Sequence, residues 1–510
     1  MAIFFCRTNK RFMLKLLSLK RGLILSSAFF LGACKNDNNN NSSNTAIEFK
    51  NHSVTPALIK KLSGFENLSI FSLVGSDDVL EQSPSFIFGG SADGAGLMKN
   101  ADGTFTLLTN HEDNFSVSRL TLDKNLKPVK GEYILNSTGG VWRLCSATLA
   151  TPEEHGFGPT YLTCGESSVE SRIHAINPLA SPASPNISKE VAGLGRWNSE
   201  NALPLHKNAF PGKTVILIGD DDSNAEGGQV VLYVSNTPGD LTNGKLYVMK
   251  RTDNNIKERD IVTGNEYDVE FVEIPNASAM TGAQLNLAAV TANSIQFGRV
   301  EDLDYRKGTA TNNREVYFNV TGQATTQANA NYTRTKYGRV YRLVLNANDP
   351  TRAKIECILD GDDRNGVARA FQDPDNILVT ENYVYIQEDP NSGYNDQTHD
   401  AYVYQYSIAT KQLKPVLELD HRRNEADAAK YNASTSNGYP QPVPGKSGYG
   451  SWEYGAMLDI SDIAGQPNTF LLNIQPHTWT GDKYRNPDGG TIRVNENQAS
   501  QTIIIRGLPR

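Results

Sequence analysis

The chain has 510 residues, with 49 Lys or Arg against 56 Asp or Glu and a formal net charge of −7. A hydrophobic fraction of 38% is too low for a multi-span membrane protein, yet the scattered Val, Ile, Leu, Tyr and Phe rule out a wholly disordered chain. The acidic balance disfavours a nucleic-acid partner and favours cations.

Residues 1–33 carry Arg7, Lys10, Arg11, Lys15, Lys20 and Arg21 without a single acid, and end in an apolar run over 22–33. That run suits the core of a secretory signal and falls short of the ~20 residues needed to span a bilayer. Leu31-Gly32-Ala33-Cys34 resembles a bacterial lipobox. The resemblance implies lipidation of Cys34, removal of 1–33, and a chain held on a membrane of the bacterial envelope, at its periplasmic face or at the cell surface. Residues 34–46 are an Asn- and Ser-rich stretch that cannot bury enough apolar surface to order itself and read as a disordered tether. Residues 47–510 are expected to form one domain and a monomer. This domain holds Cys145, Cys164 and Cys357, an odd number for an exported protein, so at least one thiol is unpaired or ligates something. A Cys145–Cys164 disulfide is one possibility; Cys357, among apolar neighbours, reads as a buried small hydrophobe.

Beyond residue 80 short β-rich runs recur, such as 105–109, 214–218, 230–234, 315–320, 383–386 and 469–474, and long helical periodicity is scarce. Aligned on one another they form a weak repeat: a polar opener, a strand ending in a polar or acidic closer, and an outer strand. Openers fall at Asp93, Cys145, Glu200, Glu301, Asp375 and Glu453. The closers are Asn110-His111-Glu112, Thr163-Cys164-Gly165-Glu166, Gly219-Asp220-Asp221, Asn319-Val320-Thr321, Gln387-Glu388-Asp389 and Asn473-Ile474-Gln475. Six copies predict an all-β, six-bladed β-propeller behind the signal and tether. In an antiparallel hairpin the start of one strand and the end of the next share an edge. Openers and closers therefore converge at one mouth of the central channel, where Glu112, Glu200, Asp220, Glu301, Asp375, Glu388 and Glu453 would crowd. Carboxylates so close must take up protons or bind cations.

The ordered set Thr109-Asn110-His111-Glu112, Cys145-Ser146-Ala147-Thr148, Leu162-Thr163-Cys164, Gly219-Asp220-Asp221, Gly244-Lys-Leu-Tyr-Val248, Arg299-Val300-Glu301-Asp302, Pro374-Asp375-Asn376 and Asn473-Ile474-Gln475 resembles the PhoX-type alkaline phosphatases, in collinear order over roughly 85–480. The resemblance implies phosphate monoester hydrolysis at a mixed Fe3+ and Ca2+ cluster in the channel mouth. Carried over, it makes Cys145 the iron thiolate and Glu200 and Glu301 the iron carboxylates, with Glu112, Asp220, Asp221, Asp375 and Glu388 as calcium ligands or supporting acids. Arg299 becomes the phosphate-gripping residue, its guanidinium offering a planar fork to two oxygens. The sequence departs from the family in a longer segment between Cys145 and Cys164, in Gly165-Glu166 where two acids are usual, and in Gln475-Pro476-His477 where Gln-His-Pro is usual.

The histidines show no H-x-x-x-H or H-E-x-x-H spacing and no G-x-S-x-G elbow is present, which disfavours a helical zinc hydrolase and a serine hydrolase. Asp360-Gly-Asp-Asp-Arg-Asn-Gly366 lacks the later ligands of a calcium loop and reads as a solvated turn. Two other readings keep the propeller: a calcium-dependent lactonase or phosphotriesterase, and a non-catalytic surface ligand-binding module.

Overall fold

The computed structural model describes residues 47–323, 333–390, 399–431 and 451–510. The signal, lipidation and tether expectations over 1–46 lie outside the described residues.

The apolar runs form strands, and their burial separates inner from outer ones. Phe105–His111 and Thr214–Asp220 are buried at every position, as befits strands packed on both faces, whereas Arg352–Asp360 alternates exposed and buried along its length. The first unit is an antiparallel sheet of Ala92–Lys99, Phe105–His111, Ser116–Leu122 and Pro128–Leu135, in that order. The second has three strands, starting at Arg143–Ala150 and Thr160–Glu166. The third and fourth, starting at Ser199–Pro204 and Val300–Tyr305, fuse at their outer edges into one nine-stranded sheet through the extra strand Glu266–Ile274. The fifth starts at Pro374–Val379 and the sixth at Glu453–Asp459. The innermost strands of these units pack each on the next, and the last packs on the first. This closed ring of antiparallel sheets is a β-propeller.

Closure uses the start of the described chain. Ser69–Gly75 pairs with Gln501–Arg506 as the outermost strand of the sixth unit, Ile70 facing Ile505, and Ile59–Lys61 adds to the outer edge of the fifth, Ile59 facing Leu419. A sheet edge that would otherwise be left open is thereby covered. Between neighbouring sheets lie buried Leu, Ile, Val and Phe, each contributing about 1.5–3 kcal/mol through removal from water.

One irregularity repeats in every unit. Pairing of the innermost strand with its neighbour slips between Ala92 and Ala95, Leu144 and Ala147, Ser199 and Ala202, Val300 and Leu303, Pro374 and Ile377, and Tyr454 and Met457. Each slip is a β-bulge of two unpaired residues, and bulges re-aim side chains. Those residues are Asp93-Gly94, Cys145-Ser146, Glu200-Asn201, Glu301-Asp302, Asp375-Asn376 and Gly455-Ala456, so five of the six openers sit where the sheet lets go of the chain, while Glu453 stays paired with Gln475 two residues before the bulge of its unit.

Candidate metal centre

The bulges are pinned from neighbouring units. Asn110 donates its side-chain amide to the Cys145 carbonyl (2.5 Å), Asn319 to the carbonyls of Asp375 (2.7 Å) and Asn376 (3.0 Å), and Asn473 to that of Asp93 (2.5 Å). Each asparagine lies opposite the bulge of its own unit. At the corresponding place in the third unit stands Gly219, where a Cβ would come within 2.2 Å of the Glu301 carbonyl oxygen. Glycine is required there by close approach of the next bulge.

Held this way, the first bulge residues point into one mouth. Asp93, Cys145 and Glu200 each offer a ligand atom within 4.8 Å of the others; so do Glu112, Cys145 and Glu166, and so do Glu200, Glu301 and Asp375. Cys145 and Glu200 belong to two triads each and link all three. The Cys145 thiol donates to Glu166 Oε2 at 2.9 Å, and Glu200 Oε1 accepts from the Ser146 amide at 3.2 Å.

Two guanidiniums flank the acids. Arg299 Nε lies 2.7 Å from Asp221 Oδ1 and Nη2 lies 3.1 Å from Glu301 Oε1. Its backbone adopts φ +73°, a strained region for a non-glycine residue that costs about 1–3 kcal/mol and persists where the surroundings over-determine it. Arg143 places Nη1 2.6 Å from Glu112 Oε1 and Nη2 2.9 Å from Asp113 Oδ1. On the far rim His477 Nε2 lies 3.0 Å from Glu453 Oε1, while its Nδ1 is 2.7 Å from Gln498 Oε1.

These two cations leave the carboxyls under-compensated. Burial, then Asp375 and Asp93, pushes Glu200 well above the usual carboxylate range. Burial and Asp221 do the same to Glu301 against the pull of Arg299, and burial with Asp389 raises Asp375 and Glu453. Asp93 is raised by burial and Glu112, and Glu112 by burial despite Arg143. Glu166 is pushed up to about 7 by burial and by its neighbour Asp221. Burial and the surrounding acids also raise the Cys145 thiol. Such a set favours protons or multivalent cations over bare charge.

Of the residues expected from sequence, Glu112, Cys145, Glu200, Asp221, Arg299, Glu301 and Asp375 meet in this mouth. Asp220 and Glu388 belong to none of the three triads. Asp220 turns one oxygen to the Asn198 amide at 3.1 Å. Glu388 is spent on the amides of Gln372 (2.8 Å) and Tyr402 (2.9 Å) inside its unit. Their chain neighbours Asp221 and Asp389 face the acids of the mouth instead. Asp93, Glu166 and Arg143 also belong to the mouth and were not picked out as site residues from sequence, although Asp93 opened a repeat and Glu166 ended a closer. Cys145, Cys164 and Cys357 are all free thiols, so the disulfide possibility is excluded, and Cys357 is buried in the apolar core as expected. Asp360 pairs with Arg339 at 2.7 Å and Asp362 accepts from the amides of Lys336 and Tyr337, so that segment spends its acids on local bonds.

No protein-family model matches the chain, and no curated protein matches it. Among solved structures, it is similar to a PQQ-bound aldose sugar dehydrogenase from Streptomyces coelicolor at 10% identity, over 86% of this chain and 98% of that one, with a TM-score of 0.33. A GH43 β-1,3-galactosidase with galactodeoxynojirimycin aligns at 9% identity over 84% and 94% of the two chains, with a TM-score of 0.33. A GH43 β-xylosidase/α-arabinofuranosidase from a compost microbial metagenome gives 9%, 84%, 95% and 0.30 in the same order. Likenesses of this size say nothing of chemistry; the strand order carries the fold. No helix among the described residues is long and apolar enough to cross a membrane.

Proposed function

We propose that the chain hydrolyses phosphate monoesters at a cation cluster in the propeller mouth and releases inorganic phosphate outside the cytoplasm, from a membrane anchor at Cys34, as its resemblance to the PhoX-type phosphatases implies. The observation that carries this reading is the set of three overlapping ligand triads joined through Cys145 and Glu200. Its donor chemistry fits the mixed group of that family: a thiolate suits a transition metal such as Fe3+, and hard carboxylates suit Ca2+. Cys145, Glu200 and Glu301 would hold iron, and Asp93, Glu112, Glu166, Asp221 and Asp375 are the carboxylates available to calcium. Bound there, such cations supply charge neutralisation and Lewis acidity toward the phosphoryl oxygens.

The chain's own groups do the rest. Arg299, aimed by its strained backbone and steadied by Asp221 and Glu301, grips two phosphoryl oxygens with one planar fork. Cys145 must lose its proton to become a ligand, because metals bind the thiolate. Glu166 Oε2, 2.9 Å from that sulfur and with a carboxyl near 7, is placed to receive it.

Elemental analysis of the purified protein, combined with a phosphomonoester assay, tests the reading. Iron and calcium should be present, chelation should abolish turnover, and Cys145→Ala and Glu301→Gln should each lower it more than about 100-fold, beyond what loss of an outer-shell partner costs. Monoester turnover that survives chelation and both substitutions would overturn it. Calcium without iron, with turnover of lactones or phosphotriesters, would move the assignment to that chemistry.

A further inference from the structure

We propose that Glu258, a carboxyl buried behind the mouth, is a positioning residue for Arg299: it clamps the backbone that aims the guanidinium and touches no ligand itself. For what Arg299 grips, the inference rests on the phosphatase reading above.

Glu258 opens the short turn Glu258–Asp260, ahead of the extra strand Glu266–Ile274, and is fully buried. A buried carboxyl is costly unless hydrogen-bonded. Three donors converge on this one. Its Oε2 accepts from the Gly298 amide at 2.9 Å and from the Thr335 amide at 3.1 Å, and its Oε1 accepts from the Tyr341 hydroxyl at 2.9 Å. An ionised carboxylate only accepts, and through both oxygens, so it suits a point where two backbone N–H groups and a phenol meet.

Both amides lead to the mouth. Gly298 immediately precedes Arg299, whose φ of +73° persists only where the surroundings over-determine it. Those surroundings are in view. Phe297 exchanges hydrogen bonds of 3.0 and 3.1 Å with Gly228, the Gly298 carbonyl accepts from the Gly322 amide at 2.9 Å, and the Arg299 carbonyl accepts from the Thr321 amide at 3.0 Å. These partners are backbone groups, whereas Glu258 reaches the same stretch with a side chain. Thr335 leads to the other half of the ion pair. Its neighbour Arg334 is buried and donates to the carbonyls of Asn224 at 2.7 Å and Ala225 at 2.6 Å, in the segment that follows Asp221. One buried node therefore ties the backbone on both sides of the pair between Arg299 Nε and Asp221 Oδ1, 2.7 Å apart. A fork that must meet two oxygens depends on such backing, because a displacement of about 1 Å can cost about 100-fold.

The test uses full-length, metal-loaded protein and places Glu258→Met, which removes the acceptors, and Glu258→Gln, which keeps the shape without the charge, in the unaltered and in the Arg299→Ala background. It measures bound metal, calorimetric affinity for inorganic phosphate, and the crystal structures of the two single variants at Glu258. With Arg299 present, Glu258→Met should weaken phosphate binding about tenfold and Glu258→Gln about threefold, with metal content unchanged, since bonds to a charged acceptor are roughly twice as strong as neutral ones. In the Arg299→Ala background neither should weaken it further, which is the signature of action through Arg299. The crystal structures should show Arg299 parted from Asp221. Should Glu258→Met fail to fold, Glu258→Gln decides by the same comparison. Equal losses in both backgrounds, metal lost in step with affinity, or Arg299 unmoved in the variants would overturn the proposal. If the unaltered protein binds no phosphate while Arg299 shifts in the variants, the phosphatase reading falls and the clamp stands.

Discussion

The two ends of the propeller's inner strands both gather charged groups, and they solve the problem oppositely. From Glu301 in the mouth to Tyr305 at the far end the strand runs about 13 Å, at 3.3 Å per residue. At the far end Lys307 Nζ sits 2.7 Å from Asp304 Oδ1 and 3.6 Å over the Tyr305 ring, and the Tyr305 hydroxyl donates to Glu154. Partial burial would raise Glu154, but His155, Lys307 and Tyr305 outweigh it and hold its carboxyl down at about 2. At the mouth the balance is reversed, and every acid of the three triads is raised. Crowded charge alone does not mark a cation site. What marks it is crowding that the chain declines to neutralise with its own lysines and arginines.

The sharpest way to break this contrast is Glu200→Gln, because Glu200 joins two triads. It should cost more than about 100-fold in turnover and strip metal from the protein, since even outer-shell partners cost 10–100-fold. Glu154→Gln at the other end should leave metal content alone. Equal metal loss in both variants would erase the distinction.

Removing the cations should expose the second largest effect. The mouth carboxyls have folded-state values above their unfolded ones, Glu166 at about 7, so the stripped protein binds more protons folded than unfolded between the ordinary carboxyl range and about 7. Its stability must then fall as pH rises through that window. Melting in chelator should be lower at pH 8 than at pH 5, and excess calcium should restore it by about 4 kcal/mol at a thousand times its Kd. A stripped protein that is equally stable at both pH values would show that the acids are compensated after all.

Much of the ring was legible in the sequence, because a repeat that places a polar opener before each strand is the trace of a bulge repeated in every unit. The openers Cys145, Glu200, Glu301 and Asp375 were readable for that reason. The closers were harder. Successive residues of a strand face opposite ways, so the closer Asp220-Asp221 offers two acids of which the second pairs with Arg299, and a one-residue uncertainty exchanges Glu388 for Asp389. Glu166 and Arg143 were hidden because they face each other across a strand pair, a relation fixed only when register is known. The closing strand Ser69–Gly75 carries no repeat signature, as its partner lies at Gln501–Arg506, at the other end of the chain.

Gly219→Ala sharpens the comparison from the side of packing. Its added Cβ would press on the Glu301 carbonyl, which should cost about 1–3 kcal/mol as overpacking does and loosen metal retention through the displaced bulge. Unaltered melting and metal content would mean that the bulge is not held in place from that side.

The smallest effect belongs to the far end, and its sign is opposite to that of the mouth. Glu154 has a folded-state value below its unfolded one, so its contribution is present above pH 4.5 and is lost as pH falls toward about 2. His155, lowered to about 4 by burial, adds a loss as pH falls from 6.5 to about 4, because the folded state resists its protonation. Glu154 keeps 42% of its side-chain surface in solvent, so screening trims its share to about 1 kcal/mol. Glu154→Gln should therefore flatten the part of the acid limb below pH 4.5 and leave the alkaline decline of the stripped protein untouched. Melting curves from pH 2.5 to 8 in chelator separate the two limbs. A Glu154→Gln variant that also loses the alkaline decline would mean that the two ends titrate as one system, and the opposition drawn between them would fail.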